Sequence, residues 1–223
     1  MITLTTALLR PVTPNPGAWA ALLSAALLAS AGQAQTFHEL KPGREASIVS
    51  VGIVLHGTAL WKGSRTQDHP WPLDPADVPA FDLVALGNWD PNAHTASNVL
   101  FALTAGGSLA LGIANQHGQD PLLPAAITLE SVLLTSGLTN VVKEWVRRPR
   151  PFAYNTDLRE ALRREDEAYV SFWSGHTANT AALTFSTAMK VQRSDASPGL
   201  KTGTWIGAAT LPAAMGLLRV QAG

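Results

Sequence analysis

Residues 143–151 read KEWVRRPRP and concentrate positive charge where a helix is predicted to end. Lys143 and Arg147 stand four positions apart and share a helix face, whereas Pro149 and Pro151 exclude their neighbours from helical geometry. Residues 143–151 are therefore expected to form a rigid, positively charged turn, called the basic corner below. Its side chains could bind an anion, snorkel at a membrane surface, or interact favourably with the negative end of the helix dipole.

Residues 171–177 read SFWSGHT and come directly before a predicted helix. At such a helix start Ser174 offers a hydroxyl, Gly175 an unpaired backbone N–H, and His176 an imidazole that titrates near neutral pH. This combination suits a phosphate or another tetrahedral oxyanion. The alternative is an ordinary serine N-cap followed by an incidental histidine.

Together, the two segments resemble the type 2 phosphatidic acid phosphatase and vanadium haloperoxidase superfamily. Its first motif is Lys, six residues, Arg-Pro, which residues 143–151 match. Its second motif, Pro-Ser-Gly-His, is similar to residues 173–176, with Trp173 in place of the proline. Its third motif is Ser-Arg, five residues, His, three residues, Asp, and residues 218–223 offer only Leu218 and Arg219.

This resemblance implies a role for each matched residue. His176 would be the general acid that protonates the leaving alkoxide, a role that suits an imidazole. Arginine binds two oxygens of a phosphoryl group at once, so arginines and a lysine would hold its charge. The implied phosphate-binding residues are Lys143, Arg150, Ser174, Gly175 and Arg219.

The resemblance also implies a nucleophilic histidine six positions after Arg219, oriented by an aspartate. Residues 1–223 contain neither, so we expect the chain to be truncated within the third motif and the printed polypeptide to be inactive. The implied chemistry needs no metal and no other cofactor; vanadate would be held only in a haloperoxidase-like protein. The remaining histidines, His38, His56, His69, His94 and His117, are expected away from the site as surface or helix-end residues.

Uncharged runs separated by short charged connectors predict the elements that must position these residues. Helices are expected at residues 46–61, 97–114, 122–146, 177–193 and 204–219, and residues 155–167 are expected to form a solvated helix. No segment alternates with period two, so the predicted fold class is all-α. The resemblance implies a helical bundle of the acid phosphatase/haloperoxidase type, which we expect to be membrane-embedded, with a soluble bundle as the alternative. Helices 177–193 and 204–219 have similar lengths, which should return Arg219 to the level of Ser174.

The N-terminus has the pattern of an export signal, with Arg10 before an apolar stretch and small residues near Ala31 and Ala34. An uncleaved membrane helix is the alternative. We therefore divide the chain into a signal peptide or membrane segment at 1–34, a helix with a Pro/Asp-rich loop or linker at 35–90, and a phosphatase-type helical domain at 91–223. A bacterial cell envelope is the expected location.

Composition limits the partners. The 16 basic and 16 acidic residues cancel, so nucleic acid is not an expected partner, and the absence of cysteine excludes disulfides and thiolate sites. The leading hypothesis is a phosphatase acting on a lipid phosphate or a small phosphomonoester. A vanadate-dependent haloperoxidase-like protein and a non-catalytic membrane module that binds anionic head groups remain alternatives.

Overall fold

Five long helices dominate the part of the chain that the computed structural model describes, which is residues 40–65, 69–114 and 122–223. They are α1 (Pro42–Gly63), α2 (Pro91–Ala114), α3 (Leu122–Val146), α4 (Gly175–Arg193) and α5 (Pro198–Ala222). Within those ranges there is no strand, which confirms the all-α prediction. The predicted signal segment, His38 and His117 lie outside the described residues.

Local sequence explains where three of the helices begin or end. α3 ends at Val146 because Arg147 adopts a left-handed conformation (φ 46°) and Pro149 follows it. At the start of α4, the Ser174 side chain accepts a hydrogen bond from the Thr177 backbone N–H at 3.3 Å. α5 begins at Pro198, six residues before the predicted start, because Ser197 caps the helix and Pro198 occupies its first position.

The packing of the bundle centres on α4, which contacts α2, α3 and α5. α1 packs along α3, where small residues permit a close approach. A Cβ atom added to Gly137 would lie 2.8 Å from His56 Nδ1, and one added to Gly52 would lie 2.5 Å from the Leu133 side chain. The interface between α1 and α3 therefore has no room for larger side chains at these two glycines.

Small and hydroxyl-bearing side chains fill much of the interior of the bundle, beside the buried Leu183, Val191 and Met215. Along α4 apolar residues recur at helical spacing and include Phe185, yet Phe185 is exposed while Thr180, Thr184 and Thr187 are buried. The last two threonines donate hydrogen bonds to carbonyl groups of their own helix, so their burial leaves no hydroxyl proton unpaired. α2 likewise buries Ser97, Thr104 and Ser108, and the first two donate to carbonyl groups of their own helix.

Large apolar side chains, by contrast, point outward from several helices. Leu103 on α2 is 68% exposed, and Leu129 on α3 is 62% exposed. Two helical segments, Pro91–Ala114 and Leu123–Tyr154, are long and apolar enough to cross a membrane by length and composition. This supports the expected membrane association only weakly, since the core helix of a soluble protein can pass the same test.

The connection between α1 and α2 packs onto the bundle and is not a free linker. The Arg148 guanidinium donates to Asp82, and the Tyr169 hydroxyl donates to the Pro70 carbonyl at 3.3 Å. Leu73 packs against a buried cluster formed by Phe152, Ala153, Ala168 and Tyr169. Within the predicted solvated helix at 155–167, only one helical turn, Glu160–Arg163, is present, with a 3₁₀ turn at Asp166–Tyr169 after it.

Candidate active site

One cavity of about 1020 Å³ lies at the end of the bundle where α3 ends and α4 begins. Its wall includes every residue that the sequence assigns to the site, although those residues come from three separate stretches of the chain. α5 runs back to the same end and brings Arg219 there, although it is longer than α4 and not of similar length as predicted. The lining residues in question are Lys143, Arg150, Ser174, Gly175, His176 and Arg219.

The basic corner after α3 is held against the segment that precedes α4 by backbone hydrogen bonds. The Arg150 N–H donates to the Ala168 carbonyl at 2.7 Å, and the Ser171 N–H donates to the Arg148 carbonyl at 3.1 Å. Arg148 pairs with Asp82 outside this corner, whereas Arg150 pairs with Glu167, whose side chain is 70% exposed. A ligand anion at Arg150 would therefore compete with a solvent-accessible carboxylate.

The start of α4 directs its first backbone N–H groups and the positive end of its dipole toward this end of the bundle. Thr177 donates its hydroxyl to Ser174 Oγ at 3.1 Å, which fixes the serine side chain. Trp173, which replaces the motif's proline, donates its indole N–H to Thr139 Oγ1 on α3 at 2.7 Å. The substitution therefore anchors the turn before α4 to the neighbouring helix.

His176 has two neighbours on α2. Its Nε2 lies 2.9 Å from Asn98 Oδ1, and its ring meets the Phe101 ring edge-on with the centroids 5.5 Å apart. Burial lowers the pKa of His176, and the positive charges of Arg219 and Lys143 lower it further. Without a bound anion, the imidazole therefore favours its neutral form more than a free histidine does.

Arg219 also contacts α2. It donates from Nη1 to His94 Nδ1 at 3.2 Å and to Ser97 Oγ at 3.4 Å. Among the described residues, no carboxylate lies within ion-pair distance of Arg219 or Lys143. Lys143 and Arg219 therefore present positive charges without a direct ion pair, in a cavity that acidic side chains (Asp74, Asp77, Asp82 and Glu167) also line. Cations without a direct partner favour anion binding at their own end of the cavity.

Sequence reasoning missed the contribution of α2. His94, expected away from the site, lines the cavity. It shares a helix face with Ser97, Asn98 and Phe101, at intervals of three and four residues. In the sequence, this spacing within an uncharged run indicates a shared helix face. Only the packing of α2 against α4 and α5 shows that this face lies at the cavity.

A comparison with protein families matches the part of the chain that contains the motifs. The family model of the PAP2 superfamily matches residues 124–223. Residues 124–223 belong to the PAP2 superfamily. The matched PAP2 segment contains all six predicted site residues, whereas α1 and α2 precede it. Neither the search of curated proteins nor that of solved structures gave a significant match.

PAP2 phosphatases are generally metal-independent. Within the described ranges, no group of three or more His, Asp or Glu side chains is placed to hold a metal ion. The candidate site combines cations, backbone donors and the His176 imidazole, which are groups that bind a phosphoryl group directly.

Proposed function

We propose that this PAP2 chain binds the phosphoryl group of a phosphomonoester in the cavity at the α3–α4 corner. Lys143, Arg150 and Arg219 hold the phosphate oxygens, and Ser174 Oγ with the Gly175 N–H completes the cradle. His176 donates a proton to the leaving alkoxide. Hydrolysis also requires the histidine that the family resemblance implies six positions after Arg219, which these 223 residues do not include.

The observation that carries the proposal is the meeting of two distant cations, Lys143 and Arg219, neither of which forms an ion pair with a described carboxylate. Lys143 and Arg219 are 76 positions apart in the sequence, yet both line one cavity, and neither has a carboxylate partner among the described residues. Both positive charges lower the pKa of His176, which indicates that they lie close enough to act on one bound group. A tetrahedral dianion would neutralise this cluster.

The size of the cavity supports an organic phosphate ester as the substrate. Its volume of about 1020 Å³ is at the upper end of the range for small-molecule sites and far exceeds the volume of one phosphate group. The remaining space extends along the Pro/Asp-rich connection, where Leu73, Val78 and Tyr154 line it. We propose that this part accommodates the organic portion of a lipid phosphate or a small phosphate ester.

Binding of vanadate, a tetrahedral phosphate mimic, tests the site without requiring the nucleophile. We expect purified residues 1–223 to bind vanadate in an isothermal titration, with inorganic phosphate as competitor. Arg219→Ala should weaken binding at least about tenfold, since it removes a charge-assisted hydrogen bond. Arg159→Ala is the matched control, because Arg159 is an exposed arginine that does not line the cavity.

Equal vanadate affinities for the wild type, Arg219→Ala and Arg159→Ala would contradict the proposed site. So would a folded wild-type protein that binds no vanadate at low ionic strength, where screening of the cavity charges is weakest. Circular dichroism on each variant separates loss of binding from loss of the helical fold.

We further propose that the bundle associates with a lipid bilayer. Its support is the distribution of side chains, with hydroxyl and small residues inside and large apolar residues outside, which is typical of helices packed in lipid. Ser97, Thr104 and Ser108 are buried on α2, whereas Val99 and Leu103 on the same helix are exposed. Aqueous solvent would disfavour such an outer surface.

A further inference from the structure

The first turns of α2 lie outside the PAP2 match yet contact two of the predicted site residues. We propose that this face of α2, formed by His94, Ser97 and Asn98, positions the site: Asn98 keeps the proton on His176 Nε2, and His94 with Ser97 orients the Arg219 guanidinium. The inference rests on the proposed function, because it assigns His176 Nδ1 as the nitrogen that serves the bound phosphate ester.

Hydrogen-bond chemistry sets the direction of the contact between Asn98 and His176. The amide oxygen of Asn98 can only accept, so the Nε2 that lies 2.9 Å from it carries a hydrogen and donates. In the neutral imidazole the other nitrogen, Nδ1, then has the free lone pair. Nδ1 is therefore the nitrogen that takes up a proton and gives it to the leaving alkoxide, while Nε2–H stays bonded to Asn98 throughout.

Phe101 restricts the same ring by packing. Its ring meets the imidazole edge-on, one helical turn beyond Asn98. A hydrogen bond at one nitrogen together with an aromatic contact fixes both the tilt and the tautomer of the imidazole, in the way that outer hydrogen-bond partners orient functional histidines. Asn98 is accordingly a positioning residue and not a catalytic one.

The contact with Arg219 is directional as well. Ser97 is fully buried and donates its hydroxyl hydrogen to the His94 carbonyl at 2.7 Å, so a lone pair of Ser97 Oγ remains available to accept from the guanidinium. Arginine has no acceptor, and the His94 Nδ1 that lies 3.2 Å from Nη1 must therefore be unprotonated. Two neutral acceptors thus hold Arg219 without neutralising its charge, which leaves that charge for the anion.

The tautomer of His176 can be measured in the full chain without any ligand. Histidine is labelled with ¹⁵N, the His176 signals are assigned with the His176→Gln variant, and long-range ¹H–¹⁵N spectra are recorded above the imidazole's titration range. The wild type should show hydrogen on Nε2 alone. Asn98→Leu should give a mixture of tautomers, whereas Asn98→Asp should keep the Nε2–H form and raise the pKa of His176.

Asn92→Leu, an exposed asparagine on the same helix, is the control and should leave the spectrum unchanged. Hydrogen on Nδ1 in the wild type would overturn the inference, as would an Asn98→Leu spectrum identical to that of the wild type. Neither result depends on vanadate binding. Failure of the wild type to bind vanadate would count against the proposed function, while the tautomer result stands by itself.

The contact by which His94 orients Arg219 is tested by a double-mutant cycle in the vanadate titration. His94→Leu should weaken binding about fivefold, the effect of losing one hydrogen bond. In an Arg219→Ala background the same His94→Leu change should have almost no effect, because the guanidinium that His94 holds is gone. Equal effects in both backgrounds would show that His94 does not act through Arg219.

Discussion

Glu167 forms an ion pair with Arg150 in the absence of a ligand. Its carboxylate pairs with the Arg150 guanidinium and also lines the cavity, where its negative charge opposes an incoming phosphate. Because the Glu167 side chain is 70% exposed, water can solvate it when an anion displaces it from Arg150. The pair therefore presents a modest, reversible barrier to anion binding.

We predict that Glu167→Gln tightens vanadate binding about fivefold, since an exposed ion pair contributes up to about 1 kcal/mol. Glu165→Gln is the matched control, because it makes the same change in net charge at an exposed carboxylate that does not line the cavity. The two titrations are made in the same buffer. Tightening by the same factor in both variants would assign the effect to net charge and contradict the role given to Glu167.

The imidazole of His176 gives a prediction about pH. Burial and the nearby cations hold its pKa below the ordinary value, and a bound dianion would offset those cations and raise it. A group whose pKa rises on binding takes up protons, so sulfate, which remains a dianion near neutral pH, should bind more tightly as the pH falls through the raised pKa.

The measurement is the sulfate affinity across neutral and mildly acidic pH, with the NMR titration of His176 recorded with and without sulfate. His176→Gln should remove most of the pH dependence. A His176 titration curve that sulfate leaves unmoved would exclude direct coupling between the imidazole and the bound anion.

At the scale of elements, the α1–α3 contact illustrates what close helix packing requires. Gly137 lies against Leu55 and His56, and His56 Nε2 is 3.3 Å from Ser136 Oγ. An added methyl group at Gly137 would lie 2.9 Å from Leu55 Cβ, which is too close for the two helices to keep their positions. α1 precedes the PAP2 match, so this contact attaches it to the matched segment.

We predict that Gly137→Ala destabilises the protein by about 2 kcal/mol, the usual effect of overpacking a tight contact. Gly57→Ala on α1 is the control: a Cβ there meets open space, and alanine's better helix propensity should leave stability unchanged or raised by up to about 1 kcal/mol. Thermal unfolding in the same detergent compares the two. Equal melting temperatures would mean that α1 does not pack on α3 as described.

At the scale of the whole molecule, the bundle places its polar chemistry at one end and its apolar side chains around its outside. Leu103 and Leu129 project outward from the middle of α2 and α3, while Lys143, His176 and Arg219 line the cavity at the end. In the bilayer association proposed above, such an arrangement would bring the site toward the membrane surface.

We predict that Leu103→Lys reduces recovery of the chain in the lipid fraction when phosphatidylcholine vesicles are floated on a density gradient. A lysine in the middle of a lipid-facing helix costs roughly 2.5–3.5 kcal/mol. Ala161→Lys, at an exposed position near the site end, is the control. Unchanged flotation of Leu103→Lys would contradict a lipid-facing role for this surface of α2.

The sequence by itself determined most of the long helices and the short motifs on which the proposed site rests, because both depend on local patterns. The bounds of α3, the cap at Ser174 and the spacing of Lys143 and Arg150 follow from residues within a few positions of one another. The family resemblance rested on the same short motifs, and the PAP2 match confirms it.

Only the tertiary structure decided which face of each helix is buried and what surrounds the motifs. Phe185 on α4 is exposed although it belongs to the apolar repeat of that helix, whereas Thr184 and Thr187 occupy the interior, where their hydroxyls bond to their own helix. Asn98 and His176 are 78 positions apart, and no local pattern relates them. Their contact exists because α2 packs against α4, a result of the free energy of the whole bundle and not of any one segment.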